Sequence, residues 1–485
     1  MTWFEAQTWE GNIFTGAWEP GRGEQIQVTN PATGASLGVV GSASLEDVLE
    51  GAKSASFAQR EWAQTPPAER ARVLRRAGEI LESNIDEIVN LVMSESGSVE
   101  AKSRLEVSNS AAECFESAAL PTAPMGEVLP SGGGHWSLSR RTPAGIVSVI
   151  SPFNFPMLLS IRSVAPAIAL GNAVLLKPDP RTSLSGGLVI AKAFADAGLP
   201  AGVLQVLPGG ADIGEAIITA PEVRVVSFTG STSAGRTVGE LAAKHLKRAH
   251  LELGGNNALV VLPGADVAAA ASAGAFGSYL HQGQICMTTG RHLVHESLVD
   301  DYVSALTVKA NHLAVGDPAS RQVALGPIID ERQVKHIADV IERSVDSGAH
   351  LAAGGTHDGP FFTPTVLTEV NSATPAWNEE IFGPVAPIRS FSTIEEAAQI
   401  VNDSEYGLSV GILGDVGQAM DLADRVHSGK VHINEQTVAD EANAPFGGVA
   451  ASGTGSRFGG AAANIEAFTE TQWVTVRSTI APYPF

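Results

Sequence analysis

Cys286 lies in the segment GQICMTTGR, where its thiol could act as a nucleophile. It is one of two cysteines in a chain of 485 residues, the other being Cys114. Most buried cysteines behave as small, inert apolar residues, so Cys286 alone is a weak indication of activity. A thiolate does add readily to a carbonyl carbon, and other segments supply the groups that such a reaction needs.

Two further segments carry polar side chains beside predicted strands. Glu252 lies in LELGGNNALVV, just before Gly254 and Gly255, which let the backbone pass close to a ligand. Its carboxylate could act as a general base, although a solvated surface glutamate is the alternative. Asn154 lies in SPFNFP, and its amide could donate to an oxyanion. These three residue types suit nucleophilic attack on a carbonyl followed by hydrolysis.

The elements that must position these side chains begin near residue 145. Short β-branched runs alternate there with helical segments; they read GIVSVIS, NAVLLK, VLQVLP, VVSFT and NALVVL. This alternation predicts a parallel, doubly wound sheet. Such a sheet binds ligands beyond the carboxyl ends of its strands, where Asn154, Lys177 and Gly230 lie.

The residues before this region predict a helical layer. The first clear helix follows Thr65, and further helical stretches lie around residues 85–92 and 105–119. Residues 121–144 predict a hairpin, and the tail TQWVTVRSTI alternates in the same way. Exposed edge strands pair with another subunit or with each other, so we expect a homodimer or a homotetramer.

Composition excludes several functional classes. The chain has 31 Lys and Arg against 52 Asp and Glu, and its formal net charge of -21 repels nucleic acid and anionic membranes. Its start lacks a signal-peptide pattern, and no stretch reaches the ~20 apolar residues that span a bilayer. We expect a cytoplasmic protein with two large domains, free thiols and neither a nucleic-acid partner, a membrane partner nor a metal site.

The order of seven motifs resembles that of the aldehyde dehydrogenase superfamily. The motifs are SPFNFP, LLKP, FTGSTSAGR, LELGGNNALVV, GQICMTTGR, EEIFGPV and APFGGVAASGTG. The resemblance implies an α/β fold with a Rossmann-type doubly wound parallel sheet domain, an α/β catalytic domain and a small β oligomerisation ribbon. The implied bounds are residues 1–122 and 143–252 for the dinucleotide-binding domain, 253–466 for the catalytic domain, and 123–142 and 467–485 for the ribbon.

The same resemblance implies an oxidation that releases a carboxylic acid. Cys286 would form a thiohemiacetal with the aldehyde, and hydride transfer to NAD or NADP would leave a thioester. Asn154 Nδ2 and the Cys286 backbone N–H would stabilise the oxyanion. Glu252 would then activate the hydrolytic water.

Residues of the implied dinucleotide site include a strand-to-helix turn. Gly230 and Gly235 have GxxxxG spacing in place of the three-glycine Rossmann fingerprint, and Ser231 begins the following helix. The amides of that helix N-terminus could bind pyrophosphate, although an ordinary turn is the alternative. Glu380 resembles the family residue that holds the nicotinamide ribose, and Phe382 the aromatic residue beside the ring; a turn with a capping acid is the alternative.

Lys177 resembles the family lysine that contacts the adenosine ribose, with an exposed strand-end lysine as the alternative. Three residues later many NAD-preferring relatives carry a glutamate for the ribose hydroxyls, whereas this chain has Pro180 followed by Arg181. A 2′-phosphate meets less repulsion without that carboxylate, and Arg181 could pair with it. We therefore predict that both NAD and NADP are used.

The implied substrate tunnel is rich in aromatic residues. Phe155, Leu159 and Arg162 follow along one helix, Ile285 adjoins the thiol, and Phe446 approaches from the C-terminal side. This lining suits a flat apolar aldehyde, unless these residues are core. Arg162 could reach a ring substituent or could be a salt-bridged structural residue.

The tail VHINEQTVADEANAPFGGVAASGTGSRFGG resembles the benzaldehyde and vanillin dehydrogenase branch of the superfamily. Three alternatives stay open. An enzyme for succinate semialdehyde or another aliphatic aldehyde would need a further cation for the substrate carboxylate. A CoA-acylating enzyme would not need Glu252, and a non-catalytic dinucleotide-binding protein would not need Cys286.

Overall fold

The computed structural model describes residues 2–485, so Met1 of the predicted first domain lies outside the described residues. The strands in chain order are β1 (Asn12–Phe14), β2 (Trp18–Pro20), β3 (Ile26–Thr29), β4 (Ser36–Val40), β5 (Gly126–Leu129), β6 (Trp136–Pro143), β7 (Ile146–Ile150), β8 (Ala173–Lys177), β9 (Leu204–Val206), β10 (Val223–Thr229), β11 (Arg248–Glu252), β12 (Asn257–Val261), β13 (Thr289–His295), β14 (His350–Ala353), β15 (His357–Asp358), β16 (Phe361–Phe362), β17 (Thr365–Thr368), β18 (Val385–Phe391), β19 (Tyr406–Gly407), β20 (Ser409–Leu413), β21 (Lys430–Ile433), β22 (Val449–Ala450) and β23 (Thr469–Val476).

The α-helices in chain order are α1 (Ala6–Trp9), α2 (Leu45–Gln64), α3 (Pro67–Ser83), α4 (Ile85–Ser96), α5 (Glu100–Ser117), α6 (Pro156–Ala169), α7 (Val189–Asp196), α8 (Ala211–Thr219), α9 (Thr232–Lys244), α10 (Val267–Tyr279), α11 (Val299–His312), α12 (Glu331–Asp346), α13 (Pro375–Asn378), α14 (Ile394–Asn402), α15 (Val416–Ala423) and α16 (Ala461–Phe468). Within residues 2–485, no helix combines the length and the apolar character needed to cross a membrane.

The first large sheet has the strand order β11-β10-β7-β8-β9-β1-β2. Pairing is parallel from β11 to β9, and β1 and β2 add an antiparallel edge. Helices cover both faces of a parallel sheet, so its inner strands are apolar along their whole length. Every residue of β8 is buried for this reason. The predicted doubly wound sheet is confirmed.

The second large sheet has the strand order β14-β17-β18-β13-β12-β20-β21. All neighbours pair in parallel except β14, which is antiparallel to β17. β12, the run NALVV, is buried at every position. β13 begins directly after the Cys286 segment, so this sheet anchors the thiol from its C-terminal side.

A third sheet joins the predicted hairpin to the chain's tail. β5 and β6 form the hairpin, and β23 pairs along the other edge of β6, from Thr469 opposite Pro143 to Val476 opposite Trp136. The two alternating segments therefore pair with each other. Trp136 and Trp473 stay largely exposed on this sheet, at 67% and 70%.

The helical layer before β5 agrees with the prediction from α3 onward. The expectation that the first clear helix follows Thr65 is wrong, because α2 precedes it. Ser44 and Asp47 form a capping box at the start of α2. The helix buries Gly51, Ala52 and Ala55, and such small residues mark a buried face less clearly than large apolar residues do.

Candidate active site

A cavity of about 1040 Å³ lies where the strands of the first sheet end. Segments that connect the strands of the second large sheet close it, including those that carry Cys286 and Glu380. Nine of the fifteen predicted site residues lie on its wall: Asn154, Leu159, Lys177, Pro180, Gly230, Ser231, Cys286, Glu380 and Phe382. The structure thus brings together side chains that are more than 200 positions apart in the sequence. The other six predicted residues lie behind the wall or deeper in the protein.

Cys286 follows α10 through a sharply turned segment. His281, Gln282 and Gly283 all have positive φ, at 49°, 58° and 70°. Left-handed backbone is costly for residues other than glycine, by about 1–3 kcal/mol each, and such strain gathers at functional sites. After this turn Cys286 reaches the cavity, while its carbonyl accepts a hydrogen bond from Asn257 Nδ2 at 2.8 Å.

The thiol of Cys286 has a perturbed acidity. Burial raises its pKa to about 12, because a thiolate loses solvation inside the protein. The ammonium of Lys430 opposes this shift, and the negative charges of Glu380 and Glu252 add to it. The thiol is therefore protonated at neutral pH in the free protein and needs help to lose its proton.

Asn154 follows β7 and precedes α6, and only 3% of its surface is exposed. Its Nδ2 donates one hydrogen bond to the carbonyl of Gln284 at 2.9 Å, which fixes the orientation of the amide. The second Nδ2 hydrogen has no acceptor, and the backbone N–H of Cys286 has none among residues 2–485. Two donors are thus left open near the thiol.

Glu252 ends β11 and is 3% exposed, so the surface alternative is wrong. Gly448 N–H donates to its Oε2 at 3.2 Å, whereas Oε1 is buried without a partner. Burial raises the pKa of this carboxyl to about 8, against the Gly448 hydrogen bond and the nearby cations Arg457, Arg162 and Lys430. Glu252 does not line the large cavity, and its charge reaches Cys286 through the protein interior.

The turn after β10 leads directly into α9. Ser231 is the N-cap residue, and its hydroxyl accepts from Ala234 N–H at 3.3 Å. Gly230 lines the cavity, but Gly235 is buried behind it. A Cβ at Gly235 would collide with the side chain of Leu253, so helix-to-strand packing explains this glycine.

Lys177 is the last residue of β8 and lies almost wholly buried on the cavity wall. Burial lowers the pKa of its ammonium, which donates to Pro178 O at 3.2 Å. The exposed-lysine alternative is therefore wrong. Two of its donor positions stay available to a ligand in the cavity.

Arg181 does not point a free guanidinium into the cavity. It pairs with Asp179 at 2.8 Å and with Asp330 at 2.5 Å, and it lies 4.3 Å from the ring centre of Phe153. We expected that Arg181 could pair with a 2′-phosphate, but its guanidinium is already paired with the carboxylates of Asp179 and Asp330. Pro180 on the wall still leaves that position without a carboxylate.

Glu380 and Phe382 close the cavity opposite the strand ends. Gly255 N–H donates to Glu380 Oε1 at 3.0 Å, and a Cβ at Gly254 would collide with the same carboxylate. Burial raises the pKa of Glu380 to about 7. Phe382 packs edge-to-face on Phe153 at 5.9 Å between ring centres.

Phe155, Ile285 and Phe446 form one apolar cluster with Cys286, although none of them lines the large cavity. Arg162 packs under this cluster, 4.7 Å from the ring centre of Phe446. The structure favours the salt-bridged alternative for Arg162, because it is buried and paired with two carboxylates, those of Glu113 and Asp440.

Sequence reasoning missed two cations beside these residues, the half-buried Lys430 and the buried Lys102. Lys430 Nζ lies 4.3 Å from the ring centre of Phe446, and desolvation lowers the pKa of its ammonium to about 8. The sequence signal for Lys430 is its place at the start of the short strand KVHI. Lys102 forms an i,i+4 pair with Glu106, which in sequence looks like an ordinary surface pair but is fully buried.

Comparison with known proteins agrees with this geometry. The aldehyde dehydrogenase family profile matches residues 18–474. The chain is 57% identical to a vanillin dehydrogenase from Amycolatopsis sp. over 100% of both chains, and 45% identical to a benzaldehyde dehydrogenase [NAD(+)] from Pseudomonas putida over 99% of both.

Among solved structures, a salicylaldehyde dehydrogenase from Pseudomonas putida G7 complexed with salicylaldehyde superposes with a TM-score of 0.95. It is 34% identical, and the match covers 98% of this chain and 99% of that one. The family resemblance and the α/β fold predicted from the seven motifs are confirmed. The chain belongs to the aldehyde dehydrogenase family.

Proposed function

We propose that the protein oxidises aromatic aldehydes to carboxylic acids, with NAD or NADP as the hydride acceptor. The main observation behind this proposal is that Cys286 and Asn154 share one cavity with Glu380 and Phe382, while Cys286 also packs against an apolar cluster that contains Phe155 and Phe446. Aromatic side chains suit a flat apolar substrate. The named substrates of the relatives, vanillin, benzaldehyde and salicylaldehyde, support the same class.

Cys286 acts as the nucleophile in this proposal. The thiol first loses its proton to water in the cavity, a loss that the charge of Lys430 favours. The thiolate Sγ then bonds to the carbonyl carbon as the carbonyl π electrons move to the oxygen. The carbonyl oxygen becomes an oxyanion, and the two open donors, Asn154 Nδ2 and Cys286 N–H, stabilise it. Each such donor typically contributes about 3 kcal/mol to the transition state.

Glu252 completes the cycle after hydride has left the substrate carbon and a thioester remains on Cys286. Its unpartnered Oε1 can accept a proton from water, and a pKa of about 8 makes it a stronger base than an ordinary carboxylate. Hydrolysis releases the acid and restores the thiol. This need for a base favours acid release over transfer to CoA.

The residues on the cavity wall fit a nicotinamide dinucleotide. The open N–H groups at the start of α9, beside Gly230 and Ser231, suit a pyrophosphate, and Lys177 suits the adenosine ribose. Glu380 suits the nicotinamide ribose, with Phe382 beside the ring. When bound, the nicotinamide supplies the hydride acceptor, and the chain's own residues orient it and exclude water.

We also propose the predicted division into a dinucleotide-binding domain, a catalytic domain and a ribbon. The two seven-stranded sheets and the three-stranded sheet follow those bounds to within one residue, since β6 ends at Pro143. We further propose a homodimer or homotetramer formed through the ribbon. Val128, Trp136 and Trp473 expose apolar surface there, at 69%, 67% and 70%, beside open strand edges. Light scattering on the purified protein tests the assembly. A cytoplasmic location stays a prediction.

The substrate class is tested by following reduced cofactor with benzaldehyde, vanillin and succinate semialdehyde. We expect kcat/KM to be at least about tenfold higher for the aromatic aldehydes. Arg162, the one cation predicted for a substrate carboxylate, is occupied by Glu113 and Asp440. A preference for succinate semialdehyde would overturn the aromatic class, and no turnover of any aldehyde would favour a binding protein.

A further inference from the structure

Lys102 and Glu106 form an ion pair in the interior of the protein. They lie one helical turn apart on α5, at 2.6 Å, and neither side chain has exposed surface. Charges taken out of water are costly, and such a pair is weak support for stability because apolar residues can often replace it without loss. The contacts of the pair with other segments indicate a more specific structural role.

Both side chains hold the segment that carries Asn154. Lys102 Nζ donates to the backbone carbonyl of Asn154 at 2.7 Å and lies 4.1 Å from the ring centre of Phe155. Glu106 Oε1 accepts from Met157 N–H at 2.9 Å and from Leu158 N–H at 3.4 Å, at the start of α6. The turn between β7 and α6 is thus tied to α5 by charge-assisted hydrogen bonds, which are stronger than neutral ones.

The amide of Asn154 is tied on its opposite side to the Cys286 segment. Its Nδ2 donates to Gln284 O at 2.9 Å, and Gln284 Oε1 accepts from Ile329 N–H at 3.0 Å. Asn154 therefore lies between two anchors: the α5 pair holds its backbone, and the thiol segment holds its side chain. Movement of the α5 anchor would change where the free Nδ2 hydrogen points.

We propose that Lys102 and Glu106 are positioning residues for the oxidation, which set the place of Asn154 relative to Cys286. This inference rests on the proposed role of Asn154 as an oxyanion donor. A displacement of about 1 Å at a reacting centre can reduce the rate about 10²-fold. The pair acts through Asn154, since neither of its side chains lines the cavity.

A double-mutant cycle tests the proposal on the full-length protein. The pair variant combines Lys102→Met with Glu106→Gln, so that neither charge is left alone and the glutamine oxygen can still accept from Met157 N–H. We expect kcat with benzaldehyde to fall about 10- to 100-fold, with the Kd of the cofactor within about twofold of the wild type. In Asn154→Ala alone, kcat with benzaldehyde should fall about 10²- to 10³-fold.

The decisive measurement is the combination of the pair variant with Asn154→Ala. If the pair acts through Asn154, its loss has no further effect in that background, and the combined variant matches Asn154→Ala within about twofold. Additive losses would overturn the positioning role and assign the pair a general structural one. A pair variant with wild-type kcat beside a slow Asn154→Ala would overturn it as well.

Controls separate this result from misfolding and from failure of the proposed function. Lys192→Met with Asp196→Asn removes a pair of the same i,i+4 spacing outside the cavity and should keep wild-type kcat. If the pair variant does not fold, Glu106→Gln alone enters the same cycle, with cofactor binding as the measure of a native site. Wild-type turnover of Asn154→Ala would instead refute the oxyanion role itself.

Discussion

The strand ends of the first sheet and the segment from Leu280 to Met287 build one cavity by different means. At the strand ends, Lys177 is the last residue of β8, and Gly230 and Ser231 follow β10 at the capped start of α9, all with ordinary backbone geometry. The thiol segment instead contains left-handed residues and lies among buried groups with raised pKa values. The proposed cofactor site thus uses regular strand and helix ends. The proposed chemistry at Cys286 instead depends on a strained backbone turn and on polar groups without hydrogen-bond partners.

Cys286→Ala gives the sharpest separation of the two regions. We expect turnover to fall by about 10³-fold or more, because no other group can form the thiohemiacetal. The Kd for the cofactor should stay within about twofold, as measured by titration of protein fluorescence. Cys114→Ala is the matched control with wild-type kcat, since Cys114 is buried in α5 away from the cavity. Near-normal turnover of Cys286→Ala would refute the covalent mechanism.

Glu252→Gln separates the two chemical steps that we assign to the thiol region, oxidation and hydrolysis. Oxidation should survive while hydrolysis loses its base, so we expect a burst of about one reduced cofactor per active site and then a steady rate lowered about 10²- to 10³-fold. Rapid mixing with absorbance detection measures both phases. A slowed burst followed by normal steady turnover would show that Glu252 acts in the oxidation step and not in hydrolysis of the thioester.

Pro180→Glu tests the strand-end region alone. We expect the wild type to use NAD and NADP with kcat/KM values within about tenfold of each other. The added carboxylate should repel a 2′-phosphate and raise the KM for NADP about tenfold, or about 1.4 kcal/mol, with the KM for NAD and both kcat values little changed. Wild-type activity with NAD and none with NADP would refute dual use.

Lys430→Met should give the smallest effect, a change in pH dependence. The cation of Lys430 lowers the pKa values of Glu252 and Cys286, so its removal raises both. The rising limb of the kcat profile, which Glu252 governs near pH 8 when hydrolysis limits turnover, should move to higher pH by up to about one unit. Activity at pH 7 would fall about three- to tenfold and largely recover at pH 9. An unshifted profile would remove Lys430 from the electrostatics of the site.

The sequence predicted the regular region well, because its signals are local. The buried runs before Lys177 and Gly230 correspond to strands β8 and β10. The glycine, proline and serine residues between such runs mark the turns that the structure contains. α2 was missed because half of its six buried residues are glycine or alanine, which mark a buried face less clearly than large apolar residues do.

The thiol region was predicted through motif resemblance, and its supporting contacts were not. Lys102 and Glu106 have the spacing of a solvent-exposed pair, and the packing of α5 among α3, α4 and α6 makes them interior. Arg162 had two open interpretations, because its partner Asp440 lies far away in the sequence. Local patterns cannot report contacts that the tertiary fold alone creates.

The pairing of β23 with β6 has a consequence for biosynthesis. β6 is synthesised more than 300 residues before its partner β23, so its outer edge stays open until all of those residues have been made. An open edge beside Trp136 is a template for pairing with the wrong chain. A chain that is truncated before Thr469 would therefore keep this edge open and aggregate, and ribosome-bound chains would depend on chaperones until β23 has been made.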